Sequence, residues 1–276
     1  MAELGVLLGA LTGLVLGLTG AGGSVIAVPL LVLGFGWPVT QAAPVALLAV
    51  FVAAAFGTVV AWDAAYVRYR AAALMSLAAL PMAPLGMRLA GQVSGDALML
   101  GFCAILVVVA ARLLLQARQR PSEASVVRAA VAGDGQSQGG TLCRLDPVTR
   151  RIAWSCPCAL LLAAVGGASG MLSGMFGVGG GFVIVPALRT ATPLSIHSAV
   201  ATSLLAISLT SAATLLIGTA AGHAIDWRAG APFVIGSLAG MYAGRRLAPR
   251  FAGAMLQQLF AVSMLLLAGL MTWRAA

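Results

Sequence analysis

A glycine-rich block that occurs twice constrains this chain more than any other feature. Residues 13–31 read GLVLGLTGAGGSVIAVPLL and residues 170–188 read GMLSGMFGVGGGFVIVPAL. At an offset of 157 the two share Gly13/Gly170, Gly17/Gly174, Gly20/Gly177, Gly22/Gly179, Gly23/Gly180, Val28/Val185, Pro29/Pro186 and Leu31/Leu188. Each block interrupts an apolar run with bare backbone and then resumes it. In lipid, backbone that leaves the helix is tolerated only where it is buried in protein or lines a cavity. Two such breaks at matching places in two halves point to a binding site at the interface between repeats.

The surrounding composition sets the solvent. Hydrophobic residues make up 61% of the chain and charged residues 8%, against about 25% charge in soluble domains. Mean hydropathy is +1.03. Runs such as 39–61 and 98–115 are apolar over about the 20 residues that cross a bilayer core. The chain therefore reads as an all-α, polytopic inner-membrane protein. Its opening, MAELG, leads straight into an apolar run. It lacks the basic region and small-residue cleavage site of a removable signal, so this run is expected to be kept.

The net charge of +9 comes from sixteen Arg and no Lys. That excludes a phosphate-loop lysine, a lysine Schiff base and a lysine general base. Most of the Arg lie between apolar segments, where they orient the chain, so the charge does not argue for nucleic acid. Cys103, Cys143, Cys156 and Cys158 show no zinc or C-x-x-C spacing. They read as free thiols facing the cytoplasm. No metal and no cofactor is expected.

Ten apolar segments divide evenly around a polar stretch. The first five span about 4–19, 24–36, 40–61, 71–90 and 96–117; the second five span about 153–176, 182–192, 195–217, 229–248 and 253–273. Residues 1–117 thus form a first membrane repeat, 118–152 a cytoplasmic linker rich in Arg, Gly, Ser and Gln, and 153–276 a second repeat. The duplication extends past the glycines. Arg68-Tyr69-Arg70 matches Asp226-Trp227-Arg228, and Gly86-Met87-Arg88-Leu89-Ala90 matches Gly244-Arg245-Arg246-Leu247-Ala248, both at an offset of 158.

Arginine placement bears on whether the copies are inverted. With the linker inside and an odd number of crossings per half, thirteen Arg fall inside and three outside (Arg88, Arg228 and Arg274). With four crossings per half the copies are parallel and the split becomes eleven to five. The positive-inside bias favours inverted copies with both termini outside. The second segment of each half is short for a full span, so it reads as a broken or re-entrant helix. The count of spanning segments is then between about eight and ten.

The candidate site follows from the breaks. Gly20, Gly22, Gly23 and Ser24 precede one short apolar helix, and Gly177, Gly179, Gly180 and Gly181 precede its counterpart. A helix start leaves backbone N–H groups unpaired and carries partial positive charge. Glycine lets a ligand reach those groups. Such a start can bind an anion with no charged side chain, and the two are expected to converge on one oxyanion. Thr202 and Ser203 add hydroxyl donors. Ser208, Thr210 and Ser211 read as structural, bonded back to their own helix. His197 is the one group placed to relay a proton, since no Asp or Glu lies deep within an apolar segment. Arg88, Arg245 and Arg246 lie near helix ends and read as orienting, snorkelling residues. The four-residue spacings Gly13/Gly17 and Gly170/Gly174 read as helix-packing motifs.

The glycine block with its proline, in GAGGSVIAVPLL and GVGGGFVIVPAL, resembles the sulfite exporter TauE/SafE family of membrane transporters. HSAVATSLLAI and GRRLA carry the same resemblance. It implies export of small sulfur-containing anions such as sulfite or organosulfonates from a bacterium, with no prosthetic group. The expected function is alternating-access transport of a small anion. The alternatives are a small anion channel, or a membrane subunit or scaffold acting with a partner protein. The expected surroundings are the lipid bilayer and the anion, with a homodimer left open.

Overall fold

The computed structural model describes residues 2–20, 23–60, 67–119, 143–145, 152–153, 155–192, 196–222, 226–251 and 254–275. The first half holds α1 Ala2–Thr19, α2 Gly23–Phe35, α3 Val39–Val60, α4 Tyr69–Gln92 and α5 Gly95–Gln119. The second holds α6 Cys156–Phe176, α7 Gly181–Ala191, α8 Ile196–Ala220, α9 Trp227–Phe251 and α10 Ala254–Ala275. Every expected segment is a helix within a few residues of its predicted bounds. Two-residue strands, β1 Arg144–Leu145 and β2 Ile152–Ala153, pair antiparallel ahead of α6.

Six of the described helices are long and apolar enough to cross a membrane. Their outward faces carry Leu7, Leu77, Leu160 and Leu216, each more than 60% exposed. A water-soluble fold would bury such a surface; a bilayer accepts it. The chain is a multi-pass membrane protein.

Small residues decide which helices touch. A Cβ at Gly9, Gly13 or Gly17 of α1 would collide with backbone of α9 at Phe233, Ser237 and Met241 respectively. On the other side of the bundle, a Cβ at Gly166, Gly170 or Gly174 of α6 would collide with backbone of α4 at Met75, Ala79 and Ala83. The predicted packing role of Gly13/Gly17 and Gly170/Gly174 is what the structure contains. Numbers rise together in both pairs, so α1 runs in the same direction as α9, and α6 in the same direction as α4.

Other contacts orient the remaining helices. The Ser237 hydroxyl reaches the Ala49 carbonyl and Arg245 reaches the Gly57 carbonyl, so α3 runs with α9. The Arg68 N–H donates to Thr202, and Gly218 sits by Met87, so α8 runs with α4. Gly57 near the end of α3 meets Leu204 near the start of α8, while the start of α3 faces the end of α8 across a shared cavity. These two helices therefore run in opposite directions. Within the first half, Gly23 of α2 packs against Leu16 of α1 and Gly34 against Leu8. The two form a hairpin whose tip is the first glycine break. α1 and α3 start at one face of the bundle, here the N-terminal face; α6 starts at the opposite, linker face.

The expectation of four free thiols needs correction. Cys143 and Cys158 form a disulfide, with Cα atoms 5.1 Å apart. It ties the β pair to the first turn of α6, where Ser155 caps the helix by accepting the Cys158 N–H. The bridge joins residues 15 apart, a pairing that no spacing rule discloses. Cys103 (buried) and Cys156 (exposed) remain thiols.

Candidate functional site

The second glycine break is built from left-handed backbone. α6 ends at Gly177, with φ 73°, whose N–H returns to the Ser173 carbonyl. Gly179 and Gly180 follow at φ 69° and 67°, and Gly180 caps α7. Three left-handed residues within four positions favour glycine because a Cβ would clash with the backbone. At Gly180 a Cβ would also collide with the Ser169 hydroxyl, and at Gly179 it would meet Ser211.

Those two hydroxyls are the unusual feature. Ser169 of α6 and Ser211 of α8 are fully buried, and neither Oγ has a hydrogen-bond partner among the described residues. Leaving a buried polar group unpaired costs about 1–3 kcal/mol. Their neighbours one turn away are satisfied. Ser173 donates to Thr214 at 3.2 Å, Thr214 donates to the Thr210 carbonyl at 2.8 Å, and Thr210 reaches the Gly179 carbonyl at 3.3 Å. Five hydroxyl side chains thus ring the start of α7.

A cavity of about 110 Å³ reaches two of these residues, Ser173 and Thr214, from the N-terminal face; Ser169 and Ser211 lie behind its lining. It is lined by Thr40, Ala43, Pro44 and Leu47 of α3, Met87 of α4, Ser173 and Gly177, and Thr214, Leu215, Gly218 and Thr219 at the end of α8. The volume holds several waters. The lining carries no formal charge. The lining hydroxyls Ser173, Thr214 and Thr219 donate to other protein groups, so the unspent donors are Ser169 and Ser211 beside the start of α7.

The first break is lined differently. Gly20, at φ 74°, packs against the Val200 side chain. Gly23 packs against Leu16, and Ser24 is buried at the start of α2. Gly22 and the side chain of His197 lie outside the described residues. The fold brings Thr202 and Ser203 to this first break, although they follow the second glycine block in sequence. Both are engaged with backbone. Thr202 accepts the Arg68 N–H at 3.0 Å, and Ser203 donates to the Val200 carbonyl at 2.8 Å with the Gly20 carbonyl at 3.3 Å.

The two breaks are separate places. Ser203 marks the first along α8 and Ser211 the second. Eight residues of helix put them about 12 Å apart. The geometry gives two half-sites, the first nearer the linker face and the second nearer the N-terminal face, rather than one cup. Sequence reasoning assigned Ser211 a structural role and did not select Ser169, Ser173 or Thr214. One signal was available: Ser169 and Ser173 occupy adjacent turns of the helix that carries Gly170 and Gly174. Among the described residues no group of His, Cys, Asp and Glu is placed to hold a metal.

The chain is similar to known membrane transporter proteins. The family model for the sulfite exporter TauE/SafE matches residues 5–271. A "Probable membrane transporter protein" of Xylella fastidiosa strain 9a5c is 31% identical over 272 residues, covering 97% of this chain and 93% of that protein. A protein of the same name from strain Temecula1 is 30% identical, with the same coverage. No solved structure gives a significant match. The chain belongs to the sulfite exporter TauE/SafE family of membrane transporters.

Proposed function

We propose that this protein carries a small sulfur-containing anion, such as sulfite or an organosulfonate, out across a bacterial cytoplasmic membrane by alternating access. The observation that carries the reading is the pair of unpartnered buried hydroxyls, Ser169 and Ser211, flanking the left-handed glycines at the start of α7. A bound oxyanion would accept from both and from the N–H groups of the first turn of α7. The neutral cavity then admits the anion from the N-terminal face.

Helix directions support inverted repeats. Exchange of the two halves (α1 with α6, α3 with α8, α4 with α9) maps the α1–α9 pair onto α4–α6 and reverses each helix. Two copies related in this way can present the same site to opposite faces in turn. The arginine bias favours a cytoplasmic linker with both termini in the periplasm, whereas the Cys143–Cys158 disulfide at the linker face favours an oxidising compartment there; the described cavity opens at the opposite, N-terminal face.

Flux of labelled sulfite in liposomes containing the purified protein tests the reading. Saturable exchange and counterflow are expected. Flux that stays linear with concentration would replace the carrier by a channel, and no flux of any small anion would sink the proposal.

A further inference from the structure

Met87 and Arg245 occupy equivalent places in the two halves. A Cβ on Gly174 would lie 3.1 Å from the Met87 backbone nitrogen, and a Cβ on Gly17 would lie 3.0 Å from that of Arg245. The sequence offset of 158 aligns the same pair. Met87 lines the cavity beside the second break. Its equivalent, Arg245, stands beside the first break, on α9 against the end of α1, towards the linker face.

Arg245 does not behave as an orienting residue. Its Nη2 donates to the Gly57 carbonyl at 2.9 Å, and its Nε is buried with no partner among the described residues. Arg246 next to it is exposed and lies over the Tyr242 ring at 4.9 Å, the posture expected of a snorkelling cation. Among the described residues, the carboxylates Glu3, Asp96 and Asp226 stand at the starts of α1, α5 and α9, remote from the end of α9 where Arg245 sits. A half-buried guanidinium whose Nε is sealed from solvent and which donates to a single neutral carbonyl is under-satisfied. Within membrane helices such a charge marks a functional position more often than a structural one.

We infer that Arg245 is the anion-binding cation of the linker-side half-site, released from Gly57 when that side opens. This rests on the alternating-access reading above. Its planar fork matches two oxygens of one oxyanion, so the linker side should favour sulfite or sulfonate over a monatomic anion. The two sides then differ by design of the side chains. The N-terminal side offers neutral hydroxyls; the linker side offers a charge.

The test uses membrane vesicles of both orientations, with sulfite and chloride as the probes. Arg245→Met installs the residue found in the other half. It should raise the half-saturating sulfite concentration at the linker face about tenfold or more and leave that at the N-terminal face within about twofold. It should also abolish the preference for sulfite over chloride at the linker face. Arg245→Lys keeps the charge, and serves if the Met variant fails to insert; it should keep binding but weaken the preference. A linker-face half-saturation unchanged from wild type in Arg245→Met, or a sulfite-over-chloride preference unchanged in Arg245→Lys, would overturn the assignment to Arg245, while wild-type flux would leave the transport reading standing. No flux in the wild type would instead defeat the reading on which this inference rests.

Discussion

The two glycine breaks share a backbone and differ in chemistry. Gly23 and Gly180 stand at equivalent points, against Thr12–Leu16 and Ser169 respectively. Where the second break has Ser169 and Ser173, the first has Thr12, bonded to the Leu8 carbonyl, and Leu16. Around the second, Ser211 and Thr214 add hydroxyls; around the first, Val200 and Leu204 fill space. The difference teaches that duplication preserved the main-chain device, which needs glycine, while the side chains around it diverged. One side has two hydroxyls without a partner among the described residues; the other has hydroxyls already bonded to backbone, with Arg68 and Arg245, each carrying a buried Nε, near it.

The largest expected effect comes from the backbone that both halves share. Gly180→Val places a β-branched residue at φ 67° and drives a Cβ into Ser169. A loss on the order of 2–4 kcal/mol is expected from strain and clash together. Fluorescence-detected size-exclusion chromatography should show little monodisperse protein. Abundant folded G180V protein would mean the left-handed turn is dispensable.

A smaller and more specific effect distinguishes the second break from the first. Ser169→Ala with Ser211→Ala removes two unpaired hydroxyls. Transport should weaken about tenfold in half-saturation, because two donors worth about 0.7 kcal/mol each are lost to the anion. Liposome flux over a range of sulfite concentrations measures this. Unchanged kinetics would move the site away from α7.

The smallest effect belongs to the first break. Thr202→Val removes the acceptor for the Arg68 N–H. It should lower stability by about 1 kcal/mol and leave the half-saturating concentration within about twofold. A tenfold change in that concentration would restore Thr202 to the binding site and erase the contrast between the halves.

Much of the fold was legible because its signals are local. Glycine at Gly20, Gly177 and Gly180 is demanded by positive φ, so the breaks announced themselves. Segment lengths followed from hydropathy. The site was less legible. Ser169 and Ser173 lie in a stretch whose four-residue glycine spacing also reads as helix packing, and it does pack, so one signal covered the other. Thr202 and Ser203 looked close to the second glycine block because they follow it in sequence. The antiparallel course of α8 against α3 carries them to the first block instead. Ser211 and Thr210 are neighbours with similar side chains. Thr210 bonds its own helix at Ala206, as its type suggests, whereas Ser211 is left unpaired; only tertiary packing separates them.

Thermal unfolding of the purified protein with and without sulfite tests the central claim most directly, comparing wild type with the Ser169→Ala, Ser211→Ala double variant. Without ligand the variant should melt at the same temperature or higher, since an unpaired buried hydroxyl destabilises the fold that holds it. Sulfite should raise the wild-type midpoint and leave the variant's almost unmoved. A variant that melts lower than wild type yet gains as much from sulfite would show that these hydroxyls serve the fold and that the anion binds elsewhere.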